Sequence, residues 1–496
     1  MRARGFPGGL VLPGHKEAST RLPVERAPLS ERLILPLQQH IGAPAKPVVA
    51  VGERVLKGQC VAKADGYVSA PLHAPTSGKV AAIAEHPVPH PSGLPFTSIV
   101  IEPDGEEAWA DLEPLEDYTA CEASVLRNRI REAGVVGMGG AGFPSAVKLN
   151  PGKPIHTLIL NGAECEPYLT CDDMLMRTRP RAIASGARVI MHLLGARRCL
   201  IGIEDNKPEA IAAMKGEAGE GVEVVAVPTR YPAGGEKQLI YTLTGMEVPS
   251  GGLPADIGIV CHNVASAAAI FEAVVEGKPL ISRYVTVTGG AVKEPRNLEV
   301  SLGTPASDLL DACQGERALV ERLIMGGPMM GIALHTDEVP VTKTFNGLLA
   351  ATAREVAPVV DPLPCIRCGK CAEVCPVRLL PQQLYWYARA KDFERVQDYD
   401  IFDCIECGCC AYVCPSRLPL VQYYRYAKGE IWDLERERER AERARRRHEF
   451  RQFRLEREKA ERAARLAKKR GGDKKAAVQE ALQRVKEKRA REKDAL

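Results

Sequence analysis

The pattern of apolar and polar residues changes several times along the chain, and each pattern predicts a different kind of fold. Up to about residue 105, short alternating apolar runs are broken by Pro and Gly, which predicts short β-strands joined by tight turns. From about 118 to 275, apolar runs such as Thr157-Leu-Ile-Leu160 alternate with helical stretches such as 181 to 194, which predicts buried parallel strands in an α/β domain. Residues 280 to 350 return to strand patterns and predict a small β-grasp-like domain.

Charge separates the end of the chain from the rest. Residues 433–496 carry a net charge of +10, whereas residues 1–432 carry −6, so the +4 of the whole chain hides two opposite parts. Because the end of the chain has almost no large apolar residue, we predict a solvated helical or partly disordered tail, interrupted at Gly471 and Gly472. The folded body has no basic excess and hence no signature of nucleic-acid binding.

No apolar run approaches the roughly 18 residues that span a bilayer, and the first residues lack the apolar region of a signal peptide. Sixteen cysteines without such a signal favour a reducing compartment. We therefore expect a cytoplasmic protein whose membrane role, if it has one, is peripheral.

Eight of the cysteines form two copies of the motif C-x2-C-x2-C-x3-C-P, from Cys365 to Pro376 and from Cys404 to Pro415. Two such copies are the ligand pattern of a two-cluster bacterial ferredoxin, in which the fourth cysteine of each copy binds the other cluster. We therefore predict two [4Fe-4S] clusters. One is assigned to Cys365, Cys368, Cys371 and Cys414, and the other to Cys404, Cys407, Cys410 and Cys375.

Two alternatives exist for this cysteine pattern. Zinc knuckles usually need two CxxC pairs for each metal, and a disulfide framework would not require the repeated spacing. Cys409 falls outside the register of the second motif, so we expect a small buried residue beside a cluster rather than a ligand. Between the motifs, Leu384 and Trp386 lie at helical spacing and predict an apolar helix face that covers the clusters.

A second candidate site begins with the glycine-rich segment 134–142, which ends close to Lys148. Glycines let backbone amides approach a phosphate or a flat ring, and a lysine adds positive charge. Polar residues also follow three predicted strands, where open α/β sheets bind ligands: Asn161, Glu164, Gly235, Glu236 and Asn263. Any one of these segments could be an ordinary solvated loop, but together they favour a ligand site.

The N-terminal pattern resembles the barrel-sandwich fold of biotinyl and lipoyl carriers. The resemblance lies in Val51-Gly-Glu-Arg-Val-Leu-Lys57 and in Pro75-Thr-Ser-Gly-Lys-Val80. Those carriers hold a modified lysine at an exposed turn, whereas the matching turn here, from Pro71 to Pro75, has none. We therefore expect a docking or scaffold role for this domain.

The second candidate site resembles the FMN and NADH site of the flavoprotein subunit of respiratory complex I. The segments that carry this resemblance are Gly137-Met-Gly-Gly-Ala-Gly-Phe-Pro-Ser145, Asn161-Gly-Ala-Glu-Cys-Glu-Pro167, Gly235-Glu-Lys237 and Asn263-Val264. With a barrel-sandwich domain before it and two cluster motifs after it, the order of segments resembles the RnfC family of Rnf electron-transport complexes, also called RsxC, over about residues 5 to 430.

This resemblance implies a multidomain fold of α/β and β parts. It consists of a barrel-sandwich β domain at 1–110, a Rossmann-like α/β domain for FMN and NADH at 118–275, a β-grasp-like (SLBB-type) domain at 280–350, a helical two-cluster ferredoxin module at 360–430 and the charged tail at 433–496.

The resemblance also implies roles for single residues. Gly139 and Gly140 would line the flavin site, Lys148 would approach the flavin phosphate, and Asn161 and Glu164 would bond the isoalloxazine edge or the ribityl chain. The other side would be closed by Gly235, Glu236 and Asn263. Three positions depart from the complex I pattern, which has Arg, Asp and a second Glu where this chain has Met138, Ala163 and Lys237.

The implied function is that of a peripheral subunit on the cytoplasmic face of the bacterial inner membrane. It would pass electrons between NADH, non-covalently bound FMN and two [4Fe-4S] clusters, in a complex that couples NADH and ferredoxin to Na⁺ or H⁺ translocation. Its partners would be a ferredoxin-like subunit and integral-membrane subunits. Two rival hypotheses remain: the flavin and iron–sulfur subunit of a soluble NADH-linked dehydrogenase or hydrogenase, and a non-catalytic assembly subunit.

Overall fold

The computed structural model describes residues 4–358 and 360–493, and the chain divides into two units, Met1–Arg425 and Tyr426–Leu496. The first three residues of the predicted N-terminal domain and the last three of the predicted tail lie outside the described residues.

Short antiparallel strands build the N-terminal part of the first unit, as the alternating pattern predicts. One sheet has the order β2-β8-β7-β4 and a smaller one the order β3-β5-β6, with Leu33, Val61 and Ile99 in the core. The strands are β1 (Glu25–Arg26), β2 (Leu33–Pro36), β3 (Lys46–Pro47), β4 (Arg54–Val55), β5 (Cys60–Lys63), β6 (Leu72–His73), β7 (Gly78–His86) and β8 (Phe96–Pro103).

The next part alternates helices and strands, which confirms the prediction of buried parallel strands. The elements are α1 (Ala123–Glu132), α2 (Ser145–Lys148), β9 (Thr157–Gly162), α3 (Cys171–Thr178), α4 (Pro180–Leu194), β10 (Arg198–Glu204), α5 (Pro208–Glu217), β11 (Val222–Val227), α6 (Glu236–Thr244), β12 (Ile259–Asn263) and α7 (Val264–Phe271).

The four strands of this part form a parallel sheet of order β11-β10-β9-β12. The strand order reverses at β9, because β10 and β11 lie on one side of it and β12 on the other. Open α/β sheets bind ligands in the crevice at such a reversal, outside the carboxyl ends of the strands. Asn161 of β9 and Asn263 of β12 are paired in register there.

A mixed six-stranded sheet follows, in the order β1-β14-β13-β17-β15-β16. Its elements are β13 (Ser282–Thr288), β14 (Arg296–Ser301), α8 (Ala306–Ala312), β15 (Arg322–Met325), β16 (Ile332–Ala333) and β17 (Gly347–Ala351). Strand β1 pairs with β14, so Glu25 and Arg26 join this sheet rather than the N-terminal sheets in which the sequence prediction had placed them.

The cysteine motifs lie among short helices: α9 (Lys370–Glu373), α10 (Pro381–Ala390), α11 (Phe393–Asp398) and α12 (Cys409–Tyr412). Helix α10 ends at Lys391, which has a left-handed backbone conformation. Leu384 is buried as predicted, but Trp386 is 40% exposed, so its prediction as a core residue is wrong; the neighbouring Tyr385 is buried instead.

The chain ends in one long helix, α13 (Leu420–Lys493). It continues through Gly471 and Gly472, so the predicted interruption there is wrong. Each glycine costs only about 1 kcal/mol relative to Ala in a helix interior, and strong helix formers flank this pair. In the part of the chain that the structure describes, we find no helix with the length and apolar character required to cross a membrane.

Candidate functional site

A cleft of about 470 Å³ opens at the carboxyl ends of β9, β11 and β12. Its volume lies within the range of about 300–1,000 Å³ that is usual for ligand pockets. Seven of the eight residues predicted for the ligand site line it: Gly139, Gly140, Asn161, Glu164, Gly235, Glu236 and Asn263. The eighth, Lys148, stands behind the lining, and its Nζ pairs with Glu236 Oε1 at 2.5 Å.

The glycine loop forms one wall of the cleft and is held by hydrogen bonds at both ends. Gly137 N donates to Phe143 O (2.8 Å), and Met138 N donates to Ser266 Oγ (2.9 Å). The buried Arg283 donates to Met138 O (3.2 Å). Gly140 has φ +107°, a backbone conformation that residues with a side chain rarely adopt, and a Cβ placed on it would meet nothing within 4 Å. The loop is therefore built around open space, as a flavin cradle requires.

The polar side chains predicted to contact a ligand also hold the walls of the cleft together. Asn161 Nδ2 donates to Gly234 O (2.8 Å). The Glu164 carboxylate accepts the backbone N–H groups of Asp172 (2.8 Å) and Asp173 (3.1 Å) at the start of α3. These amide and carboxylate groups still have hydrogen-bonding capacity left for a ligand.

Asn263 connects two elements of the same wall. Its Oδ1 accepts from Ala265 N (2.8 Å) and caps α7, while its Nδ2 donates to Asp172 Oδ2 (2.6 Å). Burial, with the neighbouring Glu164 charge as the second cause, raises the pKa of Asp172 to about 7. The cleft thus contains a carboxyl group that can hold or release a proton near neutral pH.

Glu166 is a second cleft carboxylate that the sequence prediction did not select. Burial raises its pKa to about 7. It accepts the backbone N–H groups of Met329 (3.1 Å) and Met330 (2.8 Å), and so attaches a loop of the six-stranded sheet to the cleft. Asp172 and Glu166 lie close to predicted residues in the sequence, but only their burial distinguishes them from other surface acids.

Two buried lysines hold the segment that carries Glu164 and Glu166. Lys16 Nζ donates to the backbone oxygens of Glu164 (2.8 Å), Glu166 (2.9 Å) and Leu169 (2.5 Å). Lys207 Nζ donates to Ala163 O (2.7 Å) and pairs with Glu204 Oε2 (2.9 Å). A buried ammonium is costly unless it is paired or well hydrogen-bonded, and both of these groups are.

The three positions that depart from the complex I pattern are not among the described residues that line the cleft. Met138 and Ala163 are buried. Lys237 Nζ lies 3.3 Å from Asp403 Oδ1, next to the second cysteine motif. These departures therefore leave the lining described above intact.

The two cysteine motifs surround two separate cavities. A cavity of about 540 Å³ is lined by Cys365, Cys368, Cys371 and Cys414. A more enclosed cavity is lined by Cys375, Cys404, Cys407 and Cys410. Each cavity thus takes three cysteines from one motif and the last cysteine of the other. Four thiols around one space are the donor set that a [4Fe-4S] cluster requires.

Two further observations concern the other readings of the cysteines. All sixteen cysteines are free thiols, so the structure does not contain a disulfide framework in the residues it describes. Cys409 is 1% exposed and lies on the wall of the enclosed cavity, packed with Tyr231 and Cys407.

The turn that matches the modified turn of biotinyl and lipoyl carriers is buried. Leu72 and His73 are almost inaccessible, and Pro71 O accepts a hydrogen bond from Lys343 Nζ (2.8 Å). Lys343 also donates to Gly134 O (2.6 Å), at the start of the glycine loop. A carrier turn has to be exposed in order to move between sites, whereas this turn is packed against two other parts of the chain.

Family models match four consecutive parts of the chain. They are described as the RnfC barrel sandwich hybrid domain at residues 4–106, the Nuo51 FMN-binding domain at 130–272, the SLBB domain at 284–333 and a 4Fe-4S dicluster domain at 364–418. Together with the cleft and the two thiol-lined cavities, these matches define an iron–sulfur flavoprotein whose cofactors are FMN and [4Fe-4S] clusters.

Curated relatives give the family. The chain is 54% identical over 453 residues to the RnfC-type subunit of the ion-translocating oxidoreductase complex of Pseudomonas aeruginosa, covering 91% of this chain and 58% of the relative. It is 46% identical over 493 residues to the corresponding subunit of Pectobacterium atrosepticum, covering 98% of this chain and 71% of the relative. The chain therefore belongs to the RnfC family of ion-translocating oxidoreductase complex subunits.

The coverage of the relatives is incomplete: the chain spans 58% of the Pseudomonas relative and 59% of a Vibrio cholerae relative. Among solved structures, an NAD⁺-reducing [NiFe]-hydrogenase in the H2-reduced state is 18% identical with a TM-score of 0.46, over 64% of this chain and 61% of the hydrogenase chain. A likeness at that level does not bear on function.

Proposed function

We propose that the chain is a peripheral electron-transfer subunit of a membrane-bound, ion-translocating NADH:ferredoxin oxidoreductase complex. The observation that carries this proposal is the position of Ile405. This residue belongs to the second cysteine motif, yet it lines the same cleft as Gly139 and Gly140. A flavin site and an iron–sulfur site that share a wall suit direct electron transfer better than two unrelated binding sites.

The cleft residues would hold the flavin in place. The backbone of Gly139 and Gly140 would cradle it, Lys148 and Glu236 would stand at its phosphate end, and amide and carboxylate groups would bond its ring or ribityl chain: Asn161, Glu164, Gly235 and Asn263. When bound, FMN accepts a hydride as an electron pair and can release the electrons singly, as an iron–sulfur cluster requires. Asp172 could hold a proton beside it.

The cysteines would hold two [4Fe-4S] clusters in the crossed arrangement. Cys365, Cys368, Cys371 and Cys414 would bind one cluster, and Cys375, Cys404, Cys407 and Cys410 the other. The grouping of the same cysteines around two cavities supports this assignment. Zinc is a poorer fit, because each cavity draws its four thiols from both motifs rather than from two CxxC pairs.

Partners and location follow from the same proposal. NADH would be the two-electron donor or acceptor, and a ferredoxin-like subunit and integral-membrane subunits would be the protein partners, at the cytoplasmic face of the bacterial inner membrane. The name of the relatives, which describes them as subunits of an ion-translocating complex, supports this. We also propose the domain limits 1–110, 118–275, 280–350, 360–430 and 433–496, with a β-grasp-like fold for the third domain.

The test is cofactor analysis of the purified chain, followed by anaerobic addition of NADH. We expect one FMN, about eight iron and about eight acid-labile sulfides per chain, from two cubanes. NADH should bleach the flavin absorbance and then produce the electron paramagnetic resonance (EPR) signals of reduced clusters. A chain with clusters but no flavin would support the assembly-subunit hypothesis, and a fully active chain that never co-purifies with membrane subunits would support the soluble-enzyme hypothesis.

A further inference from the structure

Tyr231 connects the flavin cleft to the enclosed cysteine cavity. It follows β11, is 3% exposed and lines the cleft. Its Oη donates a hydrogen bond to the backbone oxygen of Cys407 at 2.7 Å, and this contact is buried. The ring packs with Cys407 and Cys409, and Ile405 packs against the same group. A single side chain therefore contacts both sites.

The N-terminal segment fixes Tyr231 from one side. Leu10 and Tyr231 exchange two backbone hydrogen bonds, from Leu10 N to Tyr231 O (2.7 Å) and from Tyr231 N to Leu10 O (2.8 Å). The preceding residue, Gly9, donates to Val374 O (2.9 Å), next to Cys375. The same short segment thus holds both Tyr231 and the loop that brings Cys375 to the enclosed cavity.

Glu166 lies near the tyrosine on the other side. Its Oε1 is 3.5 Å from Tyr231 Oη, which is too long for a strong hydrogen bond. The hydroxyl hydrogen is directed instead to the Cys407 oxygen, where the distance is 2.7 Å. Because the site is dry, this single dipole acts with little screening on the group to which it points.

We propose that Tyr231 is a positioning residue that holds Cys407 against the flavin cleft and raises the reduction potential of the cluster bound by Cys375, Cys404, Cys407 and Cys410. This inference rests on the proposed function. A reduced cluster is more negative than an oxidised one, so a hydroxyl hydrogen directed at a ligand's backbone oxygen stabilises the reduced form. The second cluster lies in a separate cavity to which Tyr231 does not contribute.

The test is an EPR-monitored redox titration of the full chain as the Tyr231→Phe variant. This change removes the hydroxyl and keeps the ring. We expect unchanged FMN and iron, one cluster potential shifted to a lower value and the other unchanged. Loss of one net hydrogen bond changes the one-electron equilibrium by up to about tenfold, which corresponds to about 59 mV.

Tyr424→Phe is the matched control. Tyr424 is also buried, lines the same enclosed cavity and donates to a backbone oxygen, that of Pro381 (2.6 Å), but Pro381 is not a cysteine ligand and Tyr424 does not line the cleft. Equal shifts in both variants, or no shift in either, would overturn the proposal. Loss of iron from Tyr231→Phe would show a merely structural role and would also overturn it. Absence of FMN or clusters from the wild-type chain would instead contradict the proposed function.

Discussion

Replacing Gly140 with Val tests whether the glycine loop is a flavin cradle. Two effects are expected from the structure. A Val at φ +107° is strained, at a cost of about 1–3 kcal/mol to the folded chain. Its side chain would also project into open space in the cleft, where the ligand is expected. If overpacking of a bound flavin costs about 1–3 kcal/mol, FMN affinity should fall by roughly fivefold to 200-fold.

The strain and the steric effect can be separated with Gly66→Val. Gly66 has φ +99°, close to that of Gly140, and a Cβ there would also meet nothing within 4 Å, but it lies on an exposed turn that does not line the cleft. Both variants should lose similar stability, and only Gly140→Val should lose flavin.

The assay for this pair of variants is FMN released by acid, together with fluorescence titration of the flavin-free chain with FMN. Iron content serves as the internal control, because the cysteine motifs lie more than two hundred residues further along the chain. If Gly140→Val kept wild-type flavin occupancy, or if Gly66→Val lost as much flavin as Gly140→Val, the loop would be an ordinary turn.

Three further predictions concern the clusters and the contacts between domains. Cys375→Ala should abolish the EPR signal of the enclosed cluster, whereas Cys371→Ala should abolish the other one; the reverse result would mean that each motif closes on itself. Gly8→Ala should lose the enclosed cluster while FMN is retained, because its Cβ would lie 2.5 Å from the Cys375 oxygen at φ +61°, whereas Gly5→Ala, with nothing nearby, should behave as wild type. Burial lowers the pKa of Lys343 to about 7 from the usual 10.5, so the unfolded chain binds more protons at this residue between those pH values. The thermal stability of the wild type should therefore rise relative to Lys343→Met from pH 7 to pH 10, by at most about 1.4 kcal/mol per pH unit, and a constant difference would contradict this assignment.

The sequence alone determined those features that local spacing encodes. The cysteine spacing specified which thiols could share a cluster, since the ligands of each triplet are only two residues apart. Apolar periodicity specified the parallel strands, because a strand buried on both faces needs a continuous apolar run. The residues at the strand ends, such as Asn161 and Asn263, were predictable for the same reason, since parallel strands bring their carboxyl ends to one edge of the sheet.

Only the tertiary structure decided which distant segments meet. Glu25 and Arg26 join a sheet whose other strands begin at Ser282, and Trp386 is exposed although its spacing suits a core helix face. Tyr231 contacts Cys407, 176 residues away. No local pattern marks such residues, because burial and hydrogen bonding between distant segments depend on how whole domains pack. The chemistry of each site is therefore readable from short motifs, whereas the contact that joins the flavin cleft to a cluster exists only in the folded chain.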